Sequence, residues 1–342
     1  MPGTFIISLD CEGYWGIADR DHAIASGFIT QNALIRAYAS LVTALAKYEM
    51  SATFAFVMAL TLRLDELSDW MPRLTDVQVD GSNWMRNFRR AEAMANLEGW
   101  FCPEALELVR DSDRHEIACH GFRHVPVGNV GLGSEEVSYE LRSASELAWR
   151  KGIDLKTFVF PRNQIGHLGL LADLGYNGFR NLSSIERRHG RLGALTREFN
   201  ILEASQDPEP SAFGLVSIPG GYFLNWRAGL RKWVPQAVTL RRWRSILNDA
   251  VTADRVALLY LHPHNLISGP GTLELFCGVL QIASKLRDLK GLTILTQADY
   301  CERASAAGNV RRDQRQAAGA SLDQASRKAF MIARKRDPAA MN

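Results

Sequence analysis

Residues 4–13 read TFIISLDCEG. Thr4 to Asp10 form a short apolar run that ends in polar residues, the pattern of a strand buried on both faces. The same pattern returns along the chain. Ser51–Leu60 (SATFAFVMAL) reads as a second buried strand, and Glu116–Cys119, Thr157–Phe160, Gly178–Arg180, Leu215–Ile218, Val256–Leu261 and Leu292–Leu295 as further strands. Helical patterns lie between them. Leu34, Ala37, Tyr38, Leu41, Leu45 and Tyr48 recur at helical spacing. Pro103–Arg110 carries Pro in its first turn. Ser134–Arg150 begins with a capping Ser134 and the acids Glu135 and Glu136. Leu168–Leu174 and Leu273–Leu289 complete the set. Repeated strand–helix units predict a mainly parallel sheet, as a barrel or a doubly wound sheet. In either, chemistry collects at the carboxyl ends of the strands.

The whole chain sets bounds on this reading. Its 342 residues suit one α/β barrel or two smaller domains. With 40 basic and 37 acidic residues the net charge is +3, so no whole-chain field points to a nucleic-acid partner. The five cysteines form no C-x-x-C pair and are odd in number, which predicts a reduced, intracellular protein. The start, MPGTFIISLD, has no basic region ahead of its apolar run, and no stretch of about 18 uncharged apolar residues occurs, so neither a signal peptide nor a transmembrane segment is expected. Residues 1–301 are expected to form the catalytic domain, and 302–342 a basic, flexible tail with nine Lys/Arg against four Asp/Glu. A cytoplasmic protein is expected, peripheral at the membrane where the tail meets an acidic surface. Two segments break the alternation. Leu62–Trp100 is polar and aromatic and reads as an insertion or lid. Arg227–Arg244 holds six basic residues and no acid, interleaved with tryptophans. This second segment is either a solvated helix face over core tryptophans or a site for an anionic group such as a nucleotide or lipid pyrophosphate.

The polar residues at the strand ends form a set. Asp10 and Glu12 sit at i, i+2, so both carboxylates share a face if the strand stays extended. His120 and His124 are four apart, which on a helical turn puts two imidazoles on one side. Pro161, Arg162 and Asn163 follow the Thr157 strand; His262 and His264 follow the Val256 strand. A catalytic divalent ion takes about three protein ligands and keeps a position for water. Glu12, His120 and His124 supply two nitrogens and one carboxylate. Asp10 is then free to take a proton from water, Arg162 to brace Asp10, and His262 to protonate a leaving amine. The N,N,O set makes zinc the first expectation.

In this order, SLDCEG, HGFRH, FPRN and LYLHPHN resemble the motifs of the NodB-homology polysaccharide deacetylases, carbohydrate esterase family 4. The resemblance covers roughly residues 4–300. It implies a distorted (β/α) barrel and removal of acetyl groups from sugars. It assigns the base to Asp10, metal ligands to Glu12, His120 and His124, the brace to Arg162, and the acid to His262, with His264 competing for that role. The adjacent Asp-Asp of the family is here Asp-Cys-Glu, and its arginine motif reads FPRN. Asn163, His264, Asn265 and Trp226 are the candidates for substrate contact. The expected substrate is an N-acetylated saccharide, a nucleotide- or lipid-linked precursor of a surface glycan. The alternatives are a C–N hydrolase of the same fold acting on a small amide or ureide, and a saccharide-binding pseudoenzyme.

Overall fold

The computed structural model describes residues 2–21, 27–182, 205–206 and 213–307. His22, His189 and all but residues 302–307 of the expected tail lie outside them. Contacts divide the chain into Met1–Tyr300 and Cys301–Asn342, and every strand belongs to the first unit.

The chain begins with β1 (Thr4–Cys11), followed by α1 (Gln31–Lys47) and β2 (Thr53–Phe56). A two-stranded hairpin, β3 (Gln78–Val79) and β4 (Ser82–Asn83), precedes α2 (Arg86–Ala93) and α3 (Pro103–Arg110). Then come β5 (Glu116–Cys119), α4 (Ser134–Arg150), β6 (Thr157–Val159), α5 (Leu168–Asp173) and β7 (Gly178–Arg180). The last part holds β8 (Val216–Ile218), β9 (Tyr222–Phe223), α6 (Gln236–Ala253), β10 (Val256–Leu261), α7 (Thr272–Lys290) and β11 (Thr293–Leu295).

The main sheet runs β8-β7-β6-β5-β2-β1-β10-β9, and all of its ladders are parallel. One edge of β1 is shared: Thr4–Ile6 pair with β11, and Ser8–Cys11 pair with β2. Strands β8 and β9 stand at opposite ends of this order, yet only Pro219, Gly220 and Gly221 separate them. A linker that short spans little more than about 10 Å, so the sheet must curl until its ends meet. Gly221 makes the turn at φ +71°, and a Cβ there would stand 2.3 Å from the Leu258 carbonyl oxygen. The result is the distorted (β/α) barrel that the motifs imply.

Strand alternation separates two environments. Phe5, Ile7, Leu9 and Cys11 of β1, with Phe54, Phe56, Phe158, Phe179, Leu259 and Leu261, form the apolar layer beneath the helices. The other face turns into the barrel. There Ala55, Ala118 and Val159 pack as a small separate cluster, among the polar side chains Ser8, Asp10, Thr53, Thr157 and Arg180. Strands β1, β2, β6, β7, β8 and β10 are buried on both faces, so hydropathy alone reads them as continuous.

Several local expectations differ from what is seen. Ser51–Leu60 does not stay extended. After Phe56 the chain turns into a 3-10 helix, Met58–Thr61, where Met58 N and Ala59 N donate to Gly121 O and Phe122 O. Gly133, not Ser134, caps α4, and no side-chain bond closes that end. Segment 62–100 contains the hairpin and α2, and its Trp70, Trp84, Phe88 and Trp100 are buried. Trp15 stacks on Phe88 at 5.0 Å and meets Trp100 edge-on at 4.9 Å, so these rings fill core rather than line a groove. Among the described residues, no helix is long and apolar enough to cross a membrane.

Candidate active site

At the carboxyl end of β1, Asp10 faces into the barrel and is buried. Glu12 lies one residue past the strand in helical conformation, at φ −113° and ψ −35°, where the 3-10 helix Gly13–Ile17 begins. It is buried too, against Gly16, where an added Cβ would fall 1.8 Å from Glu12 Oε2. The seat of this carboxylate therefore depends on a glycine.

His120 follows β5, the second neighbour of β1. His120 and His124 do not sit on a helical turn, as their spacing predicts. They lie in a loop in which His124 takes φ +59°, and their rings stand 4.7 Å apart. The loop wraps around an anion. Glu140 of α4, fully buried, accepts from the backbone N–H of Phe122 at 2.8 Å, Arg123 at 2.6 Å and Val125 at 3.3 Å, and from Arg123 Nε at 2.9 Å. Trp84 stacks on His124 from the other side at 6.3 Å. Both imidazoles then present Nε2 to one atom, Glu12 Oε1, each at 3.1 Å.

Strand β10 delivers the third imidazole. His262 Nε2 lies 3.4 Å from Glu12 Oε1 and 3.8 Å from Asp10 Oδ2. Asn265 Oδ1 stands 3.3 Å from His262 Nδ1, and His264 stacks on the His262 ring at 5.3 Å. The two histidines differ in access: the His262 side chain is 26% exposed, whereas His264 is buried. Burial also pushes His264 down to about 4, so it stays neutral near pH 7.

The brace of Asp10 requires a correction. Arg162 pairs with Asp19 and lies over the Trp84 ring at 5.4 Å. Asp10 is held instead by Arg180, at the carboxyl end of β7, through a two-pronged contact of 2.6 and 2.7 Å. Arg180 also donates to Ser8 Oγ at 2.9 Å and lies over the Tyr260 ring at 4.6 Å. The reason is direction. Residues 162 and 163 both adopt positive φ, which swings Arg162 off the strand line, while Arg180 continues the inward face of its strand. Asn163 stays close, its Oδ1 3.4 Å from Arg180. Trp226 packs against Gly269, and its buried Nε1 has no hydrogen-bond partner. Arg180 and Glu140 were missed by sequence reasoning. Arg180 had a signal: a charged residue closing an otherwise buried strand.

Charge fixes the protonation of this cluster. Burial works against ionisation of Asp10, but Arg180 outweighs it and holds the carboxyl below its usual range. Burial opposes Glu12 as well, and the neighbouring His262, His124 and His120 hold it well below that range. Burial pushes His124 down to about 4, against the pull of Glu12, so its ring is neutral. His120 Nδ1 lies 2.7 Å from Val159 O, so in its neutral form Nδ1 donates and Nε2 carries the lone pair. That lone pair faces an ionised carboxylate oxygen. Among the described residues, neither ring nitrogen of buried His124 has a hydrogen-bond partner. Potential ligand atoms of three side chains thus point at one small space, an arrangement that a cation would satisfy. The ligand atoms of Glu12, His120 and His124 lie within 4.8 Å of one another, as donors to a single ion do. The donor set fits a divalent metal. Cys119 is no part of it: the thiol sits in the outer apolar layer, and burial pushes it up to about 12.

No family model matches the sequence, and no curated protein matches it. Solved structures do resemble the fold. One is a protein of Mycobacterium smegmatis assigned as a polysaccharide deacetylase, at 14% identity and TM-score 0.56, over 90% of this chain and 92% of that one. Another is a GH57-type branching enzyme of the archaeon Pyrococcus horikoshii, at 11% identity and TM-score 0.50, over 88% of this chain and 70% of that one. At such identities the likeness concerns the fold, which is that of the polysaccharide deacetylases. A fold hosts many activities, so the chemistry has to come from the site.

Proposed function

We propose that this protein is a metal-dependent hydrolase that removes an N-acetyl group from a sugar. One observation carries the reading: the Nε2 atoms of His120, His124 and His262 converge on Glu12 Oε1 beside a separately braced Asp10. Glu12, His120 and His124 would hold the ion, and zinc suits their N,N,O set. When bound, the ion would polarise the acetyl carbonyl and lower the pKa of a water to about 7.

The chain's own groups do the rest. Asp10, kept ionised by Arg180, takes the proton of the attacking water as its oxygen bonds to the carbonyl carbon. His262, the more open of the two strand-end histidines, gives a proton to the amine as the C–N bond breaks. Acetate and the free amino sugar leave, and the proton on Asp10 returns to His262 through solvent. Asn163 and Asn265 border these groups and present amides to the substrate. His264 supports the His262 ring rather than donating.

The test is metal content together with acetate release from N-acetyl sugars. His120→Ala and His124→Ala should remove the metal while the circular-dichroism spectrum stays that of the parent. Asp10→Asn should keep the metal and lose about 10²-fold or more in kcat, as expected for a lost base. Stripping of the metal by Asp10→Asn would reverse the roles of the two carboxylates. Metal-loaded protein that binds saccharide but releases no acetate would make this a binding protein.

A further inference from the structure

We propose that the loop after β9 binds a phosphate or pyrophosphate group carried by the saccharide, so that the substrate is an anionic, phosphate-linked N-acetyl sugar. The proposal rests on the deacetylase reading and adds the substrate class.

The loop's place follows from the sheet. β9 pairs in parallel with β10, with Leu259 opposite Tyr222 and Tyr260 opposite Phe223, so the residues after Phe223 emerge beside His262 at the catalytic end. The Phe223 ring lies 5.4 Å from the His262 ring and 5.3 Å from Tyr260. The Arg231 guanidinium stands over the same ring, 5.7 Å from its centre. A single aromatic ring thus lies close to both Arg231 and the proposed acid, a spacing that suits a sugar whose acetamide is at the metal and whose anomeric substituent reaches outward.

The charge of the loop is one-sided. From Pro210 to Asn248 the sequence has no Asp or Glu, while Arg227, Arg231 and Lys232 fall within six residues. Among the described residues, none of these three cations has a carboxylate within ion-pair distance. Arg227 is used internally: its guanidinium donates to Val234 O at 2.9 Å and to Lys232 O at 3.1 Å and so fixes the turn. Asn225, buried, donates from Nδ2 to Arg231 O at 3.4 Å. Arg231 and Lys232 are thereby held on a pinned backbone with no carboxylate partner among the described residues. Lys232 rests on Trp233, which is 74% exposed. Two unpaired cations on a rigid turn match the two negative charges of a pyrophosphate diester, whereas ordinary surface cations are interspersed with acids.

The experiment compares four substrates: N-acetylglucosamine, its 1-phosphate, UDP-N-acetylglucosamine, and a pyrophosphate-linked N-acetylglucosaminyl polyprenol in detergent. Wild-type protein should favour the phosphate-bearing substrates in kcat/KM by 10²-fold or more. In the Arg231→Gln, Lys232→Gln double variant the KM for these should rise by 10–100-fold, the value of one to two charge-assisted bonds, with kcat within threefold and turnover of the neutral sugar unchanged. Preference for the UDP-linked or the lipid-linked arm identifies the source of the pyrophosphate. Calorimetric titration with inorganic pyrophosphate reads the subsite without turnover, and the double variant should bind it at least tenfold more weakly. Equal use of neutral and phosphorylated sugars, with pyrophosphate binding unaltered in the variant, would overturn the proposal and leave the deacetylase reading standing. If no substrate releases acetate, that reading fails, and the pyrophosphate titration still decides the subsite.

Discussion

Arg180 and Arg162 show what separates a residue's type from its role. Both are strand-end arginines near the carboxylates, but only Arg180 is buried, at 3% exposure, and grips Asp10 with two bonds. Removing one partner of such a buried pair costs about 3–5 kcal/mol, because the other charge is left without compensation. Arg180→Gln should therefore lower the melting temperature, and it should also act on pH dependence. Arg180 lowers the Asp10 pKa, so its loss raises it, and the acid limb of the kcat/KM profile moves to higher pH. Arg162→Gln, which breaks a contact with Asp19, should leave that limb where it is. A shift caused by Arg162→Gln and not by Arg180→Gln would restore the brace expected from the motif. The sequence singles out carboxylates and imidazoles that the fold brings together, because their types are rare at strand ends. It misassigns the arginine because two arginines compete and only backbone direction separates them.

At the scale of elements, the HGFRH loop is held by α4, the helix that follows it. Glu140 binds three backbone N–H groups of the loop, which lets His124 keep a left-handed conformation that costs an L-residue about 1 kcal/mol or more. Glu140→Gln retains the shape and one acceptor oxygen for these donors but loses the charge, and its amide nitrogen cannot accept from Arg123 Nε as Oε2 does. Metal affinity should fall by about 10–100-fold, the usual cost of losing an outer partner of a metal site. Titration of the metal-free variant with cobalt, followed by its visible spectrum, reads this directly. An affinity equal to that of the wild type would show that the loop keeps its shape without Glu140. The helix pattern of Ser134–Arg150 places Glu140 in the stripe of Val137, Leu141, Ala144 and Leu147, but the spacing does not say which loop an acid on that inner face would serve.

For the whole molecule, the barrel depends on one three-residue connection. The two end strands of the sheet are brought together by Pro219–Gly221, and Gly221 combines positive φ with a close approach to the Leu258 carbonyl. Gly221→Ala should destabilise the protein by about 2 kcal/mol or more, measured by urea denaturation. Because β9 carries Phe223 and the cationic loop, the same substitution should weaken pyrophosphate binding more than metal binding. Unchanged stability would mean that the sheet closes without this turn.

The sequence by itself determined that strands alternate with helices, that their carboxyl ends carry Asp10, Glu12, His120, His124 and His262, and that these types suit a cation and proton transfer. Hydropathy period and residue chemistry are local properties, written directly in the chain. Only the tertiary structure decided that three imidazoles meet a single oxygen of Glu12, that Arg180 rather than Arg162 braces Asp10, and that the 62–100 aromatics fill core. Those outcomes depend on the curl of the sheet, on left-handed turns at His124 and Arg162, and on a glycine beside Glu12. Each is a non-local distance or a backbone angle that no spacing in the sequence encodes.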